Sequence, residues 1–196
     1  FSKMHQYLEQ AFPLVFSSLE KEIVNQHSLL FKWQGKNQAL KPILFLAHQD
    51  VVPVADENLT SWTHPPFAGV IDDTYIWGRG SLDDKSSLTA TLEAVTYLLK
   101  EKFQPERTIY LAFGHDEEIG GTEGAEKIAQ LLKSRDIKLE FVLDEGGLIS
   151  DGLLPGIEPA VALVGIAEKG SLSLQLSIKQ EEGGHSSMPP KHTAIG

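Results

Sequence analysis

Apolar residues recur along the chain in two rhythms. Unbroken apolar runs at 43–47 (Ile-Leu-Phe-Leu-Ala) and 108–113 (Thr-Ile-Tyr-Leu-Ala-Phe) suit strands buried on both faces, as in a parallel sheet. The runs at 140–143 and 161–166 read as third and fourth strands of that kind, and 29–34 as a short strand ahead of them. Between these, 86–103 carries Leu88, Leu92, Val95, Leu98 and Leu99 at the spacing of one helix face. Residues 123–135 read as another helix, and 5–26 as a helix broken at Pro13. Residues 54–75, with Pro65-Pro66 and Gly69, read as loop. Strands alternating with helices predict an α/β fold, a mostly parallel sheet with helices on both faces. After residue 167 the rhythm changes. Leu172, Leu174, Leu176 and Ile178 alternate with polar residues, the pattern of a strand with one wet face. Residues 1–167 thus read as one domain and 168–196 as the beginning of a second.

Ligands of such sheets collect at the carboxyl ends of the strands. His48, Glu117, Glu118 and Asp144 all follow predicted strands, and Asp83 sits in the glycine-rich turn 77–85 before a helix. Gly78 and Gly80 permit backbone conformations closed to other residues there. Each residue also has a plainer reading. His48 alone would be a satisfied, partly buried histidine, Asp83 a helix cap, Glu117-Glu118 a solvated pair, and Asp144 a turn residue acting with Gly146. The convergence of all five on one end of the sheet favours a shared site. His115 and Asp116 read as its support, His5, His27, His64 and His192 as structural, and Trp62 with Pro65-Pro66-Phe67 as packing beside the cleft.

Composition narrows the chemistry. The chain has 196 residues, 41% of them hydrophobic, which is enough for one ordinary domain and part of another. A net charge of −10 argues against a nucleic-acid partner. No apolar run approaches the roughly 20 residues of a membrane helix. The first residue is Phe1 rather than Met, so a signal or anchor segment preceding it is an open expectation, and the compartment is undetermined. With no cysteine, any metal must sit on histidine and carboxylates.

Zinc accepts such ligands, and a carboxylate with two oxygens can bridge a pair of ions. Asp83 fits the bridge, with His48 and Asp144 on one ion and Glu118 on the other. Asp50 is placed to orient His48 through its second ring nitrogen. Glu117, beside a proposed ligand, is the natural general base for water. The reaction so described is metal-assisted amide hydrolysis. A non-catalytic receptor or scaffold retaining the fold and a two-metal phosphoesterase are the alternatives.

Four motifs in order, His48-Gln49-Asp50-Val51-Val52-Pro53, Gly78-Arg79-Gly80-Ser81-Leu82-Asp83-Asp84-Lys85, His115-Asp116-Glu117-Glu118 and Leu143-Asp144-Glu145-Gly146-Gly147, resemble the dinuclear zinc exopeptidases and amidohydrolases. The likeness is greatest to the carboxypeptidase S and N-fatty-acyl-amino-acid hydrolase branch. It implies zinc on His48, Asp83 and Asp144 and a second zinc on Asp83 and Glu118, with Asp50 orienting and Glu117 as catalytic base. It also implies a cis peptide bond after Asp83. By the same likeness, His185 belongs to the start of an α+β lid or dimerisation domain and reaches an active site to polarise the scissile carbonyl. The resemblance further implies a small peptide or N-acyl amino acid substrate and a homodimer through the lid. One further histidine on the second zinc, which the family pattern requires, matches no residue of these 196, so the chain reads as an N-terminal part of a longer enzyme.

Overall fold

The structure, a computed structural model, describes residues 1–147, 149–167, 170 and 172–177. In chain order it comprises α1 (Ser2–Ala11), α2 (Pro13–Ser18), β1 (Glu20–Val24), β2 (Ser28–Trp33), β3 (Ile43–His48), β4 (Val70–Ile71), β5 (Ile76–Trp77) and α3 (Lys85–Lys100). There follow β6 (Ile109–Gly114), α4 (Ala125–Ser134), β7 (Val142–Leu143), β8 (Ile149–Ser150) and β9 (Val161–Ala162). Two compact units result, Phe1–Gly146 and Gly147–Gly196. Of the residues expected to begin a second domain, 168, 169, 171 and 178–196 lie outside the description.

In the first unit five strands form one sheet in the order β1-β2-β6-β3-β7. The half β6-β3-β7 is parallel, whereas β1 and β2 join it antiparallel, so the sheet is mixed rather than mostly parallel. The unbroken apolar runs have the expected cause. Successive side chains of a strand point to opposite faces, and both faces here are covered. On one face Leu8, Phe12 and Val15 of the N-terminal helical segment and Leu88 and Leu92 of α3 pack on Phe31, Leu111 and Phe113. On the other, Ile128 and Leu132 of α4 pack on Leu30, Leu44, Tyr110 and Ala112.

The chain passes from β3 to its neighbour β6 through α3 on one face. It then passes from β6 back across β3 to β7 through α4 on the other. The loops leaving β3 and β6 therefore diverge, and a crevice opens at their carboxyl ends. His48 closes β3 and Gly114 closes β6, paired as the last rung of their ladder.

Four expectations change. The helix read over 5–26 ends at Ser18, because Leu19 is extended (φ −100°, ψ 147°) and Asn25 and Gln26 take positive φ. Those two left-handed residues turn Glu20–Val24 back as an edge strand against β2. The strand at 140–143 shortens to β7, a half-exposed edge rather than a buried strand. The strand at 161–166 shortens to β9, which pairs antiparallel with β8 in a sheet of its own. Residues 172–177 form no ladder, and Leu172, Leu174 and Leu176 are exposed.

The core carries a direct test. Leu92 is fully buried against the sheet, and Leu92→Ala should cost about 2–5 kcal/mol in denaturant unfolding. Ile23→Ala on the edge strand, where the side chain is 52% exposed, should cost less than about 0.5 kcal/mol.

Candidate metal centre

The end of β3 sets the site. His48 is 2% exposed, and its amide donates to Asp84 Oδ2 at 3.2 Å. Its Nδ1 lies 3.2 Å from the carbonyl oxygen of Asp50, so that nitrogen carries a proton. A neutral ring then presents a bare Nε2 lone pair. Around Nε2 lie Asp83 Oδ1 at 2.9 Å, Glu145 Oε1 at 3.3 Å and Glu117 Oε2 at 3.9 Å. A lone pair ringed by carboxylates is repelled unless a proton or a metal cation occupies the space. Burial opposes protonation of His48, but the Asp83 hydrogen bond and the charges of Glu145, Asp50 and Glu117 raise its pKa overall.

The acids register the same crowding. Burial, then the charge of Asp84, pushes the Glu145 carboxyl up to about 7, against the opposing pull of His48. Glu117 is also raised, chiefly by burial. Two sets of ligand atoms lie within 4.8 Å of one another, His48 with Asp83 and Glu118, and His48 with Asp84 and Glu145. One nitrogen and several carboxylate oxygens, with no thiolate, make a donor set that suits zinc and similar divalent cations.

Asp50 ties the two strand ends together. Its Oδ1 accepts the amide of Glu117 at 3.1 Å and its Oδ2 that of Glu118 at 3.0 Å, while Oδ1 also stands 3.4 Å from His48 Nδ1. Glu117–Ile119 form a single 3-10 turn two residues beyond the end of β6, closed by Gly120 in the left-handed region. Glu118 Oε1 accepts the amide of Val52 at 3.1 Å. Asp116 anchors the turn from behind, with Oδ2 accepting the Glu123 amide at 2.7 Å, and His115 Nδ1 is 2.7 Å from Ser28 Oγ.

Asp83 precedes a cis peptide bond to Asp84. No side chain caps α3, so neither acid does the work of a helix cap. Gly80 takes φ 83°, and a Cβ there would strike Val51 Cγ1; Gly78 is not in that region.

His48, Asp83 and Glu118 lie together in the structure, with Asp50 and Glu117 against them. Asp144 does not join them. It is exposed, and its Oδ1 accepts the amide of Glu145, whose carboxylate reaches His48 instead. Both acids follow β7 directly, and no pattern in a loop says which side chain turns inward. His185 and His192 lie outside the described residues. Sequence reasoning also passed over Gln49, which is 3% exposed between two site residues.

Residues 44–193 match the model of peptidase family M20/M25/M40. The chain belongs to that family. Over 198 residues it is 48% identical to probable carboxypeptidase S-like 2 of Dictyostelium discoideum, covering 100% of this chain and 38% of the relative. It is 48% identical over 193 residues to the N-fatty-acyl-amino acid synthase/hydrolase PM20D1 of Xenopus tropicalis, covering 97% and 37%. With carboxypeptidase S of Saccharomyces cerevisiae it shares 43% identity over 201 residues, covering 100% and 34%. The chain therefore spans less than two fifths of the length of these relatives. Several solved structures share its fold. Human carnosine dipeptidase 1 has a TM-score of 0.61 at 19% identity, covering 76% of this chain and 34% of that one. The M20 family metallo-carboxypeptidase Sso-CP2 of Sulfolobus solfataricus has a TM-score of 0.58 at 23% identity, covering 74% and 32%. The M20 fold thus extends to the α/β sheet and its helices in this chain.

The site's outer support has a pH signature. His5 of α1 is held below its ordinary value, chiefly by burial, then by the N-terminal ammonium and His27, against the raising effect of its bond to Gln49. A histidine lowered in the fold takes up its proton more readily when unfolded. Its contribution is therefore full above about pH 6.5 and is lost as pH falls through the depressed value. His5→Gln should flatten the fall in unfolding midpoint below about pH 6.5 while leaving the neutral range nearly unchanged, as read by thermal melts across pH.

Proposed function

We propose that this chain supplies most of the metal centre of an amidohydrolase that cleaves the amide bond of a small peptide or an N-acyl amino acid. The observation that carries the reading is the buried His48 Nε2 aimed at Asp83, Glu145 and Glu117, with Asp50 fixing both the imidazole and the Glu117-Glu118 turn. His48, Asp83, Glu118 and Glu145 are the residues that would hold the metal, zinc being the cation their nitrogen and carboxylate donors suit. Asp144, the ligand suggested by the sequence, then serves to shape the turn that presents Glu145.

When bound, the metal supplies Lewis acidity, lowering the pKa of water and polarising the carbonyl. The protein's own groups do the rest. Asp50 accepts two backbone amides and keeps the Glu117 side chain at the mouth of the cluster. Glu117, 3.9 Å from His48 Nε2 and 54% exposed, is close enough to serve the centre and open enough to meet substrate. It takes the proton from the attacking water and delivers it to the departing amine, and its raised pKa suits a group that must do both. The substrate class follows the relatives, which are named as a carboxypeptidase and an N-fatty-acyl-amino acid synthase/hydrolase.

Two measurements separate the roles. In the full-length protein, Glu117→Gln should keep its zinc while hydrolysis of an acyl-amino acid falls by about 10²–10⁴-fold; undiminished turnover refutes the base. Chelator competition should show Glu145→Gln weakening metal binding by about 10–100-fold, with Asp144→Asn close to wild type. The reverse order would return the ligand role to Asp144.

A further inference from the structure

The β3–β6 ladder ends at His48 and Gly114, yet the site depends on what lies one to four residues further on. Beyond that rung no strand pairing holds the two chain ends together. Gln49 takes over there. Its amide donates to the Gly114 carbonyl at 2.8 Å, and its side chain doubles back so that Nε2 donates to the Phe113 carbonyl at 2.8 Å. The second Nε2 hydrogen goes to the His27 carbonyl at 2.9 Å, in the β1–β2 turn. With both hydrogens committed to carbonyls, Oε1 faces His5, whose Nε2–H donates to it at 2.7 Å. The backbone carbonyl of Gln49 accepts Lys85 Nζ at 3.0 Å. Every polar atom of this buried residue is therefore used.

The five bonds reach α1, the β1–β2 turn, the end of β6 and the start of α3. They converge on the single residue between His48 and Asp50. We infer that Gln49 is a positioning residue of the metal centre, a buried stitch that holds His48 and Asp50 in register with the Glu117-Glu118 turn. His5 is its outer brace. A carboxamide is required rather than any polar group of that size. Two backbone carbonyls demand two N–H donors and one imidazole demands an acceptor, and glutamine offers both on one stem. Glutamate has the shape without the donors, and would set a carboxylate against both carbonyls.

This inference rests on His48 being a metal ligand, and the test keeps the two apart. Co²⁺ is titrated into the metal-free full-length protein and into its Gln49→Glu variant, with affinity read by chelator competition, geometry by the visible ligand-field bands, and folding by the melting temperature of the metal-free form. Leu92→Ala serves as a variant destabilised in the core alone. Gln49→Glu should bind Co²⁺ about 10–100-fold more weakly, with shifted bands, whereas Leu92→Ala should lower the melt and leave the bands in place. Unchanged affinity and bands in Gln49→Glu overturn the role of Gln49 while leaving the metal centre standing. Wild-type protein that takes up no Co²⁺ overturns the metal reading and this inference with it. Should Gln49→Glu fail to fold, His5→Ala removes only the outer bond and decides by the same readouts. A loss of about two- to tenfold with shifted bands upholds the stitch, and wild-type behaviour refutes it.

Discussion

A buried imidazole nitrogen with its lone pair turned toward several carboxylates is the constraint on which this structure turns. His48 cannot satisfy the arrangement by rotating its ring, because Nδ1 is committed to the Asp50 carbonyl. Nor can the acids withdraw freely, since Asp84 is tied to the His48 amide and Glu118 to the Val52 amide. Like charges about 4–5 Å apart repel by a few kcal/mol at the effective dielectric of a partly buried site. The protein therefore holds a configuration that its own charges disfavour. A proton relieves it in part, as the raised pKa values of His48, Glu117 and Glu145 record. A divalent cation relieves it more fully, because it attracts every member of the set at once.

Holding such a cluster takes rigid elements, and the sheet provides them where its topology changes direction. Diverging loops after β3 and β6 leave an opening in which two chain ends can face each other without colliding. The last ladder rung sets the separation of those ends, Asp50 bridges from one to the other by two backbone amides, and Gln49 reinforces the join from behind. Apolar packing on both faces keeps the strands themselves in place. The chemistry of the site and the burial of Phe31, Leu111 and Ile128 are thus one problem, because the first has no fixed frame without the second.

How much of this could be read from the residues alone depends on what kind of force places each of them. The runs 43–47 and 108–113 declare buried strands because both faces need apolar side chains, and His48 at the end of one of them follows. The turn before α3 declares itself through Gly80, whose backbone takes a left-handed conformation. Edge and partner effects are less visible. The stretch Glu20–Val24 looks helical by composition and becomes a strand because Asn25 and Gln26 turn it onto β2. Between Asp144 and Glu145 the sequence offers no choice, since one backbone rotation in a loop decides which carboxylate turns inward. Gln49 shows no chemistry in the sequence, for its importance comes from five partners scattered from position 5 to position 114.

The members of the cluster are not equally fixed, and that inequality suits the metal centre proposed for it. His48 sits on a strand with a 3% exposed side chain, whereas the side chains of Glu145, Glu117 and Asp83 are 29%, 54% and 61% exposed on turns. A preorganised nitrogen gives the site its location, and acids on turns can close on an arriving ion at small cost in packing. Were all four as rigid as His48, their repulsion would have to be borne by the core. With three of them at the solvent boundary, water screens the mutual repulsion before a cation arrives and leaves as it enters. The fold therefore places its stiffness at His48 and the buried Asp84 bonded to its amide, and the hydrogen bonds behind the site converge on the segment 48–50 rather than on Glu145, Glu117 and Asp83.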